Sequence, residues 1–514
     1  MKKRNIGIIF VLILTLVLTA CGGGGDKPKE EGAQTDKDTL TVAVSADATS
    51  LDPENYNDIY SENVMKQIYN KLMEKDADEN LEPALATGID QPDDKTYIVH
   101  LRDDVVFHNG EPLTTEDVIY SLTRVANSAK YAYIFDKIDL ESFETPDEHT
   151  LQFKLTEPDG SFLQALSHPA ASIVNKKAVE EAGENYAQNP IGTGPFKMES
   201  WTKLDNITLK KNDEFWGDAP TFSTLVFRVI PEGNNRVIEL ESGGVDIAYQ
   251  IAPTDISKVE ENENLQLLRK MDNSIHFVGL KVSDGPFADI KAREALAYAV
   301  DMKTIVESVY EGVGSVATGP VNPNFAYSIS PDTEPVPYDP EKAKQLFEEA
   351  GVAPGTTFKM YVNDNPQRQD MATIIQSQLR EIGYDATITT LEWGAYTEAL
   401  KNKEHDIFFM SWSPSVVDPH YALYGPFHSK NVGEGPNYMY YSNPELDPLL
   451  DQAIQLNNGD EREKLYKEAQ EMILKDYPWL YVANGENVIG AQSYIKNLEL
   501  SPSSSQALYK VTFE

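Results

Sequence analysis

The sequence predicts an α/β protein with mixed sheets, built as two or more lobes. Three observations carry that prediction. Strand-type alternation and helix-type periodicity interleave on both sides of the middle of the chain, the pattern of layered α/β architecture. A chain of 514 residues exceeds what one hydrophobic core organises. Its single cysteine permits no internal disulfide, so stability has to come from large apolar cores.

Taken in order, TLTVAV (39–44) alternates as a strand. SENVMKQIYNKLMEK (61–75) offers Ser61 as a cap and places Val64, Ile68 and Leu72 on one helical face. TYIVHL (96–101) and TLQFKL (150–155) alternate again. Between them Thr114 and Asp117 stand at capping-box spacing. YDPEKAKQLFEEAG (338–351) has Asp339 as N-cap, Pro340 at the first helical position and Gly351 just past the end. NPELDPLLDQAIQL (443–456) starts the same way, with Asn443 and Pro444. DATITTLEW and HDIFFMSW read as strands flanking a short helix near 394–402. There is no internal repeat.

The amino terminus is read separately. Lys2, Lys3 and Arg4 precede an uncharged apolar run from Ile6 to Leu18, too short for an ordinary membrane span and suited to a secretory leader. Leu18-Thr19-Ala20-Cys21 then has the form of a lipoprotein cleavage box, which gives the lone Cys21 a role as the lipidated residue. Residues 1–20 are the expected signal peptide. The charged, Gly-rich segment that follows makes 21–37 a flexible tether. Two acyl signals at Cys21 suffice for stable anchoring, so the membrane is met through the lipid alone. Removing the basic leader takes the formal charge from −38 to −41, which argues against nucleic acid as a partner.

No reaction chemistry is visible. The chain lacks a GxxxxGKS/T phosphate loop, a GxSxG elbow and an HExxH helix. Gly192-Thr193-Gly194 lacks the lysine of a phosphate cradle and reads as a tight turn. DADEN (76–80) imitates the start of a calcium loop, but Leu81 and Thr87 occupy the positions that need Gly and Glu, so it too reads as a turn. The eight histidines never pair at metal-ligand spacing and are expected mostly on surfaces or strands. No catalytic residue, cofactor or metal site is expected.

LRDDVVFHNGEPLTTEDVIYSL (101–122) closely resembles the signature of the peptide and nickel class of solute-binding proteins. PIGTGPFKMESW, LKKNDEFWGDAP, ELESGGVDIAY, GPFADIKAREALAYAVD and YDPEKAKQLFEEAG follow in that family's order. The resemblance implies a bilobed periplasmic-binding-protein-like fold with hinged lobes and an extra subdomain in the first lobe. It also implies a monomer that delivers a short peptide to an ABC permease pair with its ATPase subunits. Mapped onto this chain, residues 38–80, 191–271 and 485–514 form lobe I, 81–190 its extra subdomain, and 272–484 lobe II. With the lipobox it suggests the extracellular face of a Gram-positive membrane.

The segment SWSPSVVDPH (411–420) ends a buried strand, where open α/β sheets bind ligands. Peptide binders of the family have a Trp here, with an Asp three residues on that takes the ligand's α-amino group. Trp412 matches, but Ser415 replaces the Asp, and Asp418-Pro419 keeps the later acidic-Pro pair. Trp412, Ser415, Asp418 and Tyr421 are therefore ligand candidates. Asp418 is equally a helix cap, and His420 is expected on exposed helix surface. Thr49, Ser50 and Tyr56 follow the first strand, Asn273 and His276 lie where the chain enters the second lobe, and the aromatic YAYIF (131–135) is either wall or core. SWSPS followed by YALYGPFHS resembles the glutathione-type branch. The alternatives are a nickel-chelate or metallophore binder, a signalling or chaperone role on the same fold, and, from another class, an extracytoplasmic hydrolase.

Overall fold

A computed structural model describes residues 37–514 apart from Glu434 and Ser504. The expected leader, Cys21 and nearly all of the tether lie outside the described residues.

An eleven-stranded mixed sheet runs through both lobes. In the first lobe Thr39–Val44 pairs in parallel with Thr224–Val229 on one side and Ile247–Tyr249 on the other, and Asn206–Lys211 and Phe196–Thr202 extend the sheet to its edge. In the second lobe Ile407–Trp412 lies beside Thr357–Asn363, which pairs in parallel with Asp385–Leu391. Two long antiparallel strands, Leu265–Leu280 and Trp479–Gln492, join the halves. Their ladder shifts register between Met271 and Ile275, at the passage from one half to the other.

Alternation along these strands builds a core on each face. Phe277 stacks on Trp479 with ring centroids 3.6 Å apart, while its neighbour Val278 points to the opposite core with Leu280 and Phe358. In the first lobe Leu40, Val42 and Val44 face one core and Ala43 faces another, with Val237 and Leu240. A separate four-stranded sheet, in the order Ala86–Asp90, Thr96–Leu101, Thr150–Leu155 and Ile138–Asp147, is continuous with the first-lobe core.

Local signals place most elements, and tertiary contacts trim them. Thr114 and Asp117 form the expected capping box, and Asp339 caps its helix through Lys342 N. The expected helix over 61–75 is corrected: it spans Ile59–Ile68 and is capped by Asp58, not Ser61. It stops because the Gly192-Thr193-Gly194 turn packs on its end, where Gly194 N donates to Ile68 O at 2.8 Å. A Cβ at Gly192 or Gly194 would lie 2.1 or 2.6 Å from that carbonyl oxygen, so the turn requires glycines. The chain then forms a hairpin of Met73–Lys75 with Leu81–Pro83, and the Asp76 carboxylate closes the DADEN turn by accepting from Asp78 N and Asn80 N. The helix expected from Asn443 begins instead at Asp447, since Asn443 folds into a turn that accepts from Glu445 N.

Candidate functional site between the lobes

Two adjoining cavities, about 830 Å³ and about 460 Å³, fill the cleft and share Ile59, Asp272 and Gln506 as lining residues. One wall of the larger cavity is aromatic. Tyr56 and Tyr131 stack with centroids 5.5 Å apart, and the Tyr131 hydroxyl donates to Tyr56 O at 2.7 Å, fixing both rings. Lys130 stands beside them, donating to Asn55 O at 2.9 Å. The facing wall is the loop Ser413-Pro414-Ser415 with Val417 and Asn273.

The floor is ionic. Glu74 accepts from both Lys66 (2.6 Å) and Lys71 (2.8 Å), and Lys75 pairs with Glu79 at 2.9 Å. Burial, seconded by Lys66 and opposed by Glu74, pulls the Lys71 ammonium down to about 8. Burial also works against the Glu74 carboxylate, but its two lysines outweigh it and hold the group well below the usual carboxylate range. A paired network of this kind tolerates a dry environment because each charge is compensated by its partner, and removing either partner would strand a buried charge.

The residues singled out in the sequence separate in space. Tyr56, Asn273 and Ser415 line the larger cavity, and His276 lines the smaller. His276 packs on Tyr310, and burial with the nearby Arg368 pulls its pKa down to about 4, so it is neutral near pH 7. Thr49, Trp412, Asp418 and Tyr421 line neither cavity. Thr49 bonds Asp58 at the start of the first helix. Trp412 Nε1 donates to Tyr421 O at 3.2 Å, and Tyr421 packs against the first-lobe core together with the fully inserted Val416. Asp418 caps the helix Pro419–Phe427 and pairs with buried Arg462 at 2.9 Å. Ser415 reaches across the cleft, its Oγ 2.8 Å from the Tyr133 hydroxyl. His420, expected on exposed surface, is half-buried against Tyr424, and burial pulls its pKa down to about 3. His168, His405 and His428 are buried as well, a correction to the expected surface or strand placement.

The YAYIF segment, left open between wall and core, divides: Tyr131 lines the cavity while Ile134 and Phe135 are core. Sequence reading missed Asp272, the Lys66–Glu74–Lys71 floor and Arg368. The floor charges look like a solvated helix face when read along the chain. Arg368 follows the N-cap Asn365 and donates to Asn363 Oδ1 and Ser411 Oγ, with no carboxylate at ion-pair distance among the described residues. Among the described residues no three His, Cys, Asp or Glu side chains gather closely enough to hold a metal ion.

Comparison with known proteins agrees with this architecture. The glutathione-binding protein GsiB of Salmonella typhi is 32% identical over 469 residues, 89% of this chain and 91% of that protein. The periplasmic binding protein DppA from Helicobacter pylori, solved with the peptide STSA, superposes with a TM-score of 0.77 at 28% identity, covering 93% of this chain and 98% of that one. The oligopeptide-binding protein AppA from Bacillus subtilis, solved with a nonapeptide, gives 0.75 at 26%, covering 93% and 99%. The family model for bacterial extracellular solute-binding proteins, family 5 Middle, matches residues 80–434, and the chain belongs to that family, one of binding proteins and not of enzymes.

Proposed function

We propose that the protein captures short peptides, of which glutathione is one candidate, in the cleft and delivers them to an ABC importer. The observation that carries this reading is the cleft itself: about 830 Å³ lined by both lobes, with a fixed aromatic wall, a paired ionic floor and polar groups from the facing loop. That volume falls in the usual range of roughly 300–1,000 Å³ for small-ligand sites. The names of GsiB, DppA and AppA support the peptide class. The lobes hinge where the two long strands cross, with residues 272–484 as the mobile lobe; the register shift at Met271–Ile275 supports this assignment. The mature protein is a monomer tethered by lipid at Cys21 to the extracellular face of a Gram-positive membrane, a reading supported by the basic, apolar and Leu-Thr-Ala-Cys features of the leader.

Thermal unfolding with di- to pentapeptides and glutathione tests the proposal. A ligand present at a hundred times its dissociation constant should stabilise the protein by about 2.7 kcal/mol. Shifts confined to nickel or nickel–histidine would replace the peptide reading with metal-chelate capture.

A further inference from the structure

Asp272 lies where the two cavities meet and lines both. It is displayed by the register break in the crossing strands, and that break is built from three sides. Asn322 Nδ2 donates to the carbonyl oxygens of Asp272 and Ser274, each at 3.0 Å. Asn324 Nδ2 donates to those of Met271 at 3.2 Å and Asp272 at 3.0 Å. Opposite stands Gly485, where a Cβ would lie 2.4 and 2.6 Å from the two carboxylate oxygens, so a glycine there is what leaves room for the acid.

One oxygen of the half-buried carboxylate is held by the protein, and the other is left to the cleft. Oδ1 accepts from Ser274 N at 2.7 Å and Ser274 Oγ at 2.6 Å. Oδ2 has no hydrogen-bond donor, and no lysine or arginine lies at ion-pair distance, among the described residues. Burial, with a smaller push from Glu486, raises the acid above its usual range despite the Ser274 bonds. Of the other acids on that cavity, Glu74 and Glu79 have lysine partners, Glu62 accepts from Ser505 Oγ with Lys66 and Lys71 near, and Asp58 and Asp76 are engaged in a helix cap and a turn. An acid held in a cleft without a counter-charge is a costly arrangement that a ligand cation relieves. Ser415, also on the larger cavity, is neutral and cannot itself neutralise such a cation.

We infer that Asp272 is the anchor for the ligand's ammonium group. The identity of that group as a peptide α-amine rests on the peptide reading above. Asp272 thereby takes over the charge neutralisation that Ser415 cannot supply.

Calorimetry on wild type and Asp272→Asn tests this with di- to tetrapeptides and glutathione, each free and N-acetylated, and with simple primary amines. The asparagine keeps the acceptor for Ser274. Wild type should favour the free amine by about a hundredfold, and Asp272→Asn should lose about that much for free-amine ligands while leaving acetylated ones unchanged, a loss of the size expected when one partner of a buried charge pair is removed. Affinity of wild type for free amines should also fall as acid protonates Asp272, a dependence absent from the variant. Gly485→Ala, which pushes on both carboxylate oxygens, should show the same selective loss. Equal losses for free and acetylated forms, or no loss, overturn the inference. If no peptide binds wild type but a primary amine does, with Asp272→Asn abolishing it, the peptide reading fails and the anchor stands. Uptake of neither class overturns the anchor as well.

Discussion

The hydroxyl of Ser415 does its visible work at the rim of the cleft, against the Tyr133 hydroxyl contributed by the facing wall. Both residues are exposed, so their bond competes with water and is worth on the order of 0.5–1 kcal/mol. Ser415→Ala and Tyr133→Phe should each speed ligand release two- to fivefold, and the double variant should do no more than either one. Stopped-flow dissociation of a bound peptide, read as a double-mutant cycle, checks this; additive effects would mean that the two hydroxyls act independently. Tyr56 and Tyr131 differ in kind, because their stacking and the Tyr131 bond to Tyr56 O fix the wall before any ligand arrives.

The helix Pro419–Phe427 shows how one carboxylate sets an element. Asp418 accepts from His420 N at its start and pairs with Arg462 of the helix Asp460–Asp476. Arg462 is fully enclosed and also donates to Ala453 O and Asn458 Oδ1, so three segments converge on it. Asp418→Ala leaves a buried guanidinium uncompensated and should cost roughly 3–5 kcal/mol, plus about 1 for the cap. Asp418→Asn keeps a capping oxygen and should lose the ion-pair part alone. Urea unfolding of both variants, followed by the fluorescence of the nearby Trp412, separates the two contributions. Equal stability of wild type and Asp418→Ala would deny the pair any structural role. The same element carries the loop that lines the cleft, so either loss should also lower peptide affinity.

At the scale of the whole molecule the lobes are already in contact. Val416 of the second lobe is buried in the first-lobe core, and Gly160 N donates to Ile454 O at 2.7 Å. The helices Asp447–Ile454 and Asp460–Asp476 thus lie against the segment around Gly160, while the strands Leu265–Leu280 and Trp479–Gln492 join the two halves of the sheet. The strongly negative charge gives no attraction to anionic lipid, so the proposed lipid attachment at Cys21 is what a membrane-partition experiment has to test. Cys21→Ser should appear in the medium or keep its leader, whereas wild type should partition into detergent. Detergent partition of a normal-sized Cys21→Ser protein would refute lipid attachment at that residue.

Most of the alternation, caps and turns were legible because each is decided within a few residues, the caps expected at Ser61 and Asn443 being the exceptions. Thr114 meets Asp117, Asp339 meets Lys342 N, and the DADEN carboxylate meets its own turn. The ordered motifs from residue 101 onward identified the family and its bilobed fold for the same reason: they are contiguous. What the tertiary structure decided is assembled across the chain. The end of the first helix at Ile68 depends on Gly194, and the cleft joins Tyr56 to Ser415 and Asp272 to Gly485. Trp412 and Asp418, prominent in sequence, point into packing because the helix after them needs a cap and a core partner. Asp272 was silent in sequence because an Asp-Asn-Ser run, with the aspartate bonded two residues on to Ser274, is ordinary turn chemistry. What sets it apart, its place at the junction of the two cavities with no lysine or arginine beside it among the described residues, is a property of its neighbours in space.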